Sequence, residues 1–225
     1  MQRRWLEPGF LGVVFLTASA LWAFFAIAGE VAEGETGGFD AAILLALHPA
    51  HRTGGSTEPA WLWEFARDIT GLGSVGVLAL VVVSACVFLL LANRLGTALF
   101  ILVATTLSGG VNTLLKLFFN RPRPTLIDHN LHVYSSSFPS GHAMLSATVY
   151  LILAAVLART TDRWRLRLFI LSVATLLSGL IGLSRMYLGV HWPSDVLAGW
   201  AAGAAWAMGA WSIAHFMHLG KDAVQ

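Results

Sequence analysis

Lys116-Leu-Phe-Phe-Asn-Arg-Pro-Arg-Pro124 opens a stretch that holds two further polar clusters, Pro139-Ser-Gly-His142 and Ser184-Arg-Met-Tyr-Leu-Gly-Val-His-Trp-Pro-Ser-Asp195. Long apolar runs separate and flank the three clusters, and this interleaving decides the fold. A charged side chain beside hydrocarbon is costly, so such residues point to a site rather than to solvated surface. The inventory is two histidines (His142, His191), one carboxylate four residues after the second (Asp195), and three cations (Lys116, Arg123, Arg185). That set suits phosphoryl transfer, in which negative charge must be held while a nucleophile attacks.

Working outward, the 225 residues are 56% hydrophobic and 12% charged. A soluble domain is about a quarter charged, so the chain is expected to be an all-α polytopic membrane protein. Six apolar segments can be drawn: Phe10 to Ala28, Val75 to Ala92, Thr97 to Leu115, Ala143 to Ala158, Leu168 to Leu183, and Val196 to Ile213. Most approach the ~20 residues that cross a bilayer core, and the fourth and fifth do so only with their flanks. The expected fold is a six-helix transmembrane bundle forming one domain over residues 1–225, with no repeats or linkers. Met1-Gln-Arg-Arg4 before the first run resembles a signal-peptide start, but the run is longer than a usual cleaved core and is expected to stay as the first span.

Between the first two spans lies the one sizeable loop, Gly29 to Ser74, rich in acids including Asp40. Phe39 to Leu47 and Pro59 to Ile69 are expected to form short interfacial helices, the second opened by Ser56, Thr57 and Pro59. Trp61, Trp63 and Phe65 suit the headgroup level, so the segment is either an interfacial anchor or a lid for a lipid. Counting Lys and Arg in the short loops, with Arg159, Arg163, Arg165 and Arg167 as the clearest anchor, puts both termini in the cytoplasm and all three clusters outside. Basic residues are scattered at segment ends without a patch, so nucleic-acid binding is not expected. Cys86 is alone in an apolar run, which excludes a disulfide framework.

Locally, Ser140 is an N-cap candidate at the start of the fourth span, and Gly141 lets backbone approach a ligand. Helix starts present unpaired N–H groups and attract anions. Pro193 fits the first turn of the last span, and Asp195 in that turn can reach back toward His191. Fixing one ring nitrogen sets the tautomer and leaves the other as a lone pair able to attack phosphorus. An ordinary cap with a nearby histidine would explain the same residues. Arg121 reads as a side chain snorkelling from the end of the third span. His48/His51, His129/His132 and His215/His218 are spaced like metal-ligand pairs but lack a clear third ligand, and are expected to be interfacial polar residues. Gly199 and Gly203 mark close helix packing, within one chain or between two.

Written as K-x6-R-P, P-S-G-H and S-R-x5-H-x3-D, the clusters resemble the signature of the type 2 phosphatidic acid phosphatase family, integral-membrane lipid phosphatases related to vanadium haloperoxidases. Lys116, Arg123, Pro124, Pro139, Ser140, Gly141, His142, Ser184, Arg185, His191 and Asp195 fill every signature position. The resemblance implies His191 as nucleophile forming a phosphohistidine, Asp195 as its orienting partner and His142 as general acid. Lys116, Arg123, Arg185, Ser140 and Gly141 would bind phosphate, with no metal or cofactor required. It further implies a lipid phosphomonoester or diphosphate as substrate, such as phosphatidic acid, phosphatidylglycerol phosphate or undecaprenyl diphosphate; size and compactness point to a bacterial inner membrane. An anion transporter or channel lined by Lys116, Arg123 and Arg185 is the alternative, and leaves the two histidines and Asp195 unused. With an ordinary histidine pKa of about 6.5, a neutral His191 and a protonated His142 predict a bell-shaped pH profile.

Overall fold

The protein is described by a computed structural model covering residues 8–48, 59–126 and 135–216. Among these residues there are eight helices and no strand. They are α1 (Pro8–Glu33), α2 (Gly37–Leu47), α3 (Ala60–Gly71), α4 (Val75–Leu91), α5 (Leu95–Phe119), α6 (Gly141–Ala158), α7 (Trp164–Tyr187) and α8 (Pro193–Phe216). Five are long and apolar enough to cross a membrane, and six spans result when α3 and α4, bent by 44° at their break, count as one. The expected all-α polytopic bundle with two short helices after the first span is therefore what forms.

The boundaries differ from the expected runs for a simple reason. Apolar counting stops at the first charge, whereas the backbone ladder continues until something caps it. The fifth span thus extends to Trp164–Tyr187 and carries Arg185 in its last turn. The third runs on through Lys116 to Phe119, where Asn120 ends it in the left-handed conformation (φ 40°) with its N–H on the Lys116 carbonyl. Asn tolerates that geometry better than other non-glycine residues. Ser74 starts α4 by accepting the Val77 N–H at 3.3 Å, and Ser140 starts α6 by accepting that of Ala143 at 3.5 Å. The Ser56 and Thr57 helix-opening expectation lies outside the described residues, as do His51, His129, His132 and His218.

Large apolar side chains line the outside: Phe15, Trp22 and Phe118 are 70%, 74% and 81% exposed. Their faces suit hydrocarbon, since a soluble monomer rarely exposes such patches. Inside, small residues let backbones meet. A Cβ at Gly199 would lie 2.8 Å from the Ser140 carbonyl oxygen and 2.9 Å from Ala143 Cβ, and one at Gly203 would lie 2.8 Å from Ala147 Cβ. The small-residue spacing on α8 is therefore used within the chain, against α6, and this contact brings the starts of both helices to one end of the bundle.

Candidate active site

The three clusters converge because four helices change direction at that one end. Lys116 closes α5, Arg185 closes α7, His142 opens α6, and His191 and Asp195 straddle the start of α8. At the start of α8, Pro193 takes the first helical position and Asp195 the third. Asp195 Oδ2 accepts the Trp192 N–H at 2.9 Å, the returning half of a capping box. The same oxygen lies 3.4 Å from His191 Nδ1 and also accepts the Ser137 hydroxyl.

On the other side of the ring, Arg123 Nη1 lies 3.2 Å from His191 Nε2. A guanidinium only donates, so Nε2 must be the accepting nitrogen and Nδ1 the protonated one, pointing at Asp195 and Ser137. The network thus assigns the tautomer that a nucleophilic Nε2 needs. His191 is 2% exposed. Burial first, together with the Arg123 and Arg185 charges, pulls its pKa down to about 3 despite the carboxylate at Asp195. The ring is therefore neutral across the working range, and the acid limb expected near 6.5 moves far below it.

Two of the three cations are held by backbone oxygens, and the third by a hydroxyl. Arg123 donates from Nη1 to the Val190 carbonyl at 2.6 Å and from Nε to the Ser135 carbonyl at 2.9 Å, and burial lowers its pKa. Lys116 Nζ donates to the Ser136 carbonyl at 2.6 Å. Arg185, 6% exposed, donates from Nη1 to the Thr70 hydroxyl at 3.1 Å. Its Nε is buried with no protein acceptor among the described residues. Such an unsatisfied donor calls for an explanation, and an anion at the site supplies one.

At the start of α6, the Ser140 N–H donates to the Asp195 carbonyl at 3.0 Å, tying one helix start to the other. A Cβ at Gly141 would lie 3.1 Å from Asn112 Oδ1 and 3.7 Å from Lys116 Cε, so this glycine is where α5 and α6 touch. His142 shares its electrostatic surroundings with Arg185, His191, Arg123 and Lys116. Every residue expected at the site is therefore at this end of the bundle.

Arg121 corrects the reading of a snorkelling side chain. It is 14% exposed and bridges two fully buried carboxylates, with Nη1 2.7 Å from Asp195 Oδ1 and Nη2 2.7 Å from Asp40 Oδ2. Asp40, on α2, also accepts the Ser194 N–H at 2.8 Å and its hydroxyl at 2.7 Å. Thr36 accepts from Arg121 Nη2 at 2.8 Å. Asp40, Ser137, Ser194 and Arg121 were missed by motif spacing. A signal existed for Asp40: it is the one acid within the apolar run of α2. His48 likewise is not an interfacial residue. It is 3% exposed, and its ring nitrogens lie 2.9 Å from the Leu44 carbonyl and 2.7 Å from that of Tyr187. The segment between the first two spans is thus built into the wall of the site at Asp40 and Thr70.

The chain is similar to known proteins along most of its length. Residues 97–218 match the model of the PAP2 superfamily. Phosphatidylglycerophosphatase B of Bacillus subtilis is 32% identical over 146 residues, covering 64% of this chain and 70% of that one. Undecaprenyl-diphosphatase of Sulfolobus acidocaldarius is 41% identical over a shorter 68 residues, 30% of this chain and 29% of that one. The crystal structure of a transmembrane PAP2-type phosphatidylglycerolphosphate phosphatase from Bacillus subtilis superposes with a TM-score of 0.79 at 26% identity, covering 90% of this chain and 98% of that one. Aquifex aeolicus LpxE superposes with a TM-score of 0.57 at 26% identity, over 76% and 94% of the two chains. With the signature residues gathered at one end of a matching bundle, the chain belongs to the PAP2 superfamily and is a polytopic membrane phosphatase.

Proposed function

We propose that the protein hydrolyses a lipid phosphomonoester or diphosphate at the membrane–water boundary through a phosphohistidine on His191. The observation that carries this reading is the two-sided hold on that ring, with Nδ1 at Asp195 and Nε2 at Arg123. In the first step the Nε2 lone pair attacks phosphorus and the P–O bond to the lipid breaks, with His142 giving its proton to the departing oxygen. In the second, water attacks the phosphohistidine, His142 takes a proton from it, and inorganic phosphate leaves with the P–N bond broken. Lys116, Arg123 and Arg185 hold the equatorial oxygens, joined by the Ser140 and Gly141 donors at the start of α6. Three fixed cations supply the neutralisation that a metal would otherwise give.

A lipid substrate follows from the position of the site at the ends of the spans, where a headgroup enters while its tails stay in hydrocarbon. The relatives named for phosphatidylglycerophosphate and undecaprenyl diphosphate favour those two headgroups. The opposite end of the bundle carries Arg94, Arg159, Arg163, Arg165 and Arg167, which supports a cytoplasmic location for that end and an extracytoplasmic site.

The test is phosphate release by the purified protein in detergent with chelator present, from phosphatidylglycerol phosphate, phosphatidic acid, undecaprenyl diphosphate and a soluble phosphate ester. Release from the lipids, abolished in His191→Ala, is expected. After an acid-free quench, labelled phosphate should remain on the wild-type protein and be absent from that variant. Undiminished release by His191→Ala would overturn the mechanism.

A further inference from the structure

At the end of the bundle away from His191, a cleft of about 200 Å³ opens between the α4–α5 hairpin and the pair α6 and α8. Its walls are apolar, formed chiefly by Phe88, Phe100, Ile152, Val156 and Trp211, while Arg94 and Arg159 stand at its rim. We propose that this cleft seats one acyl chain of an anionic phospholipid whose headgroup phosphate lies between Arg94 and Arg159. The site is separate from the catalytic one. Arg159 follows the last residue of the 18-residue helix whose first turn carries His142, and at ~1.5 Å per residue the two lie roughly 25 Å apart.

Size, depth and charge all favour this occupant. The cleft is smaller than the roughly 300–1,000 Å³ that encloses a drug-sized ligand, and suits a slim chain entering from the side. Its position at the ends of membrane-spanning helices puts its rim at headgroup level, where basic pockets between helices select anionic lipids. Arg159 lies 5.8 Å from the centre of the Trp211 ring, which fixes the guanidinium over an apolar surface. Beyond the rim, Arg163, Arg165 and Arg167 are accompanied among the described residues by Asp162, which pairs with Arg167 at 3.1 Å. A zwitterionic headgroup would bring a second cation into this cluster.

The experiment uses the full chain in detergent micelles with equimolar phosphatidylglycerol and phosphatidylcholine, and reads retained lipid by native mass spectrometry. Phosphatidylglycerol carries no terminal phosphate, so it is not a substrate of the proposed reaction and retention is separable from turnover. The wild type is expected to keep one phosphatidylglycerol at least fivefold in preference to phosphatidylcholine. The double variant Arg94→Gln/Arg159→Gln should lose that preference while releasing phosphate from a micellar lipid phosphate at the wild-type rate. Filling the cleft with Ala207→Leu should lower retention of both lipids. Equal retention of the two lipids by the wild type overturns the proposal, as does an unchanged preference in the double variant. Dimers in the wild type that the substitutions dissolve would assign the cleft to a second copy and overturn it too. The wild-type comparison stands even where a variant fails to fold.

Discussion

At the scale of the residue, His191 is held at both ring nitrogens, and each hold does a different thing. Asp195 and Ser137 on one side fix the tautomer, and Arg123 on the other aligns the lone pair with the cations that would receive phosphate. Burial is the larger influence on its proton. With a pKa near 3, the neutral form dominates above that value and is lost only as pH falls through it. NMR of the labelled ring should therefore show no titration of His191 between pH 5 and 8, and a midpoint near 6.5 would contradict this. Ser137→Ala removes one constraint on Asp195 and leaves the others. We expect kcat to fall about tenfold with little change in KM, the pattern of a lost orienting contact. Steady-state kinetics on any active lipid substrate will read the split.

The elements are joined to the site by a buried chain of charge running from α2 to α8. Arg121 sits between Asp40 and Asp195, each 0% exposed. Removing one member of a buried pair strands the others at a cost of about 3–5 kcal/mol. Arg121→Met would leave two carboxylates facing each other, so it should unfold at markedly lower temperature in detergent and be inactive. Asp40→Asn keeps the shape but turns an NH2 toward a donor, while Arg121 stays paired with Asp195, so it should fold with a smaller fall in melting temperature than Arg121→Met and lose part of kcat. Equal melting temperatures for wild type and Arg121→Met would show that the network contributes nothing. Two turns further along α8, Gly203 meets α6 too closely for a side chain. Overpacking typically costs about 1–3 kcal/mol, and here it would also part the two helix starts that share the Ser140–Asp195 contact. Gly203→Val should therefore lose activity more steeply than stability, whereas Gly209→Ala, where nothing lies within 4 Å, should change neither.

For the whole molecule, the question is which side of the membrane the site faces. α1 leads into Thr36 and Asp40 beside the site, and α8 starts there, so both helices place their outer ends at the opposite side, with Arg94 and Arg159. Cys86 is buried and gives a quiet background for thiol labelling. Glu35→Cys, exposed at the site end, should react with a membrane-impermeant maleimide in intact cells. Asp162→Cys, exposed at the other end, should react only after permeabilisation. The reverse pattern would turn the bundle over and place the site in the cytoplasm.

The sequence by itself determined the membrane class and the all-α bundle, and it singled out the signature residues that the fold gathers at one end. Hydrocarbon length and the cost of charge are local constraints, and both are written in composition and spacing. It also foretold the capping contact of Asp195, because that is a matter of one helical turn. What only the tertiary structure decided is how the site is supported. Whether Arg121 reaches lipid headgroups or Asp40, and whether Gly199 faces a neighbour or its own α6, depends on which helices pack together. Asp40 and Arg121 are 81 residues apart, and no periodicity along the chain encodes a pairing made across the bundle.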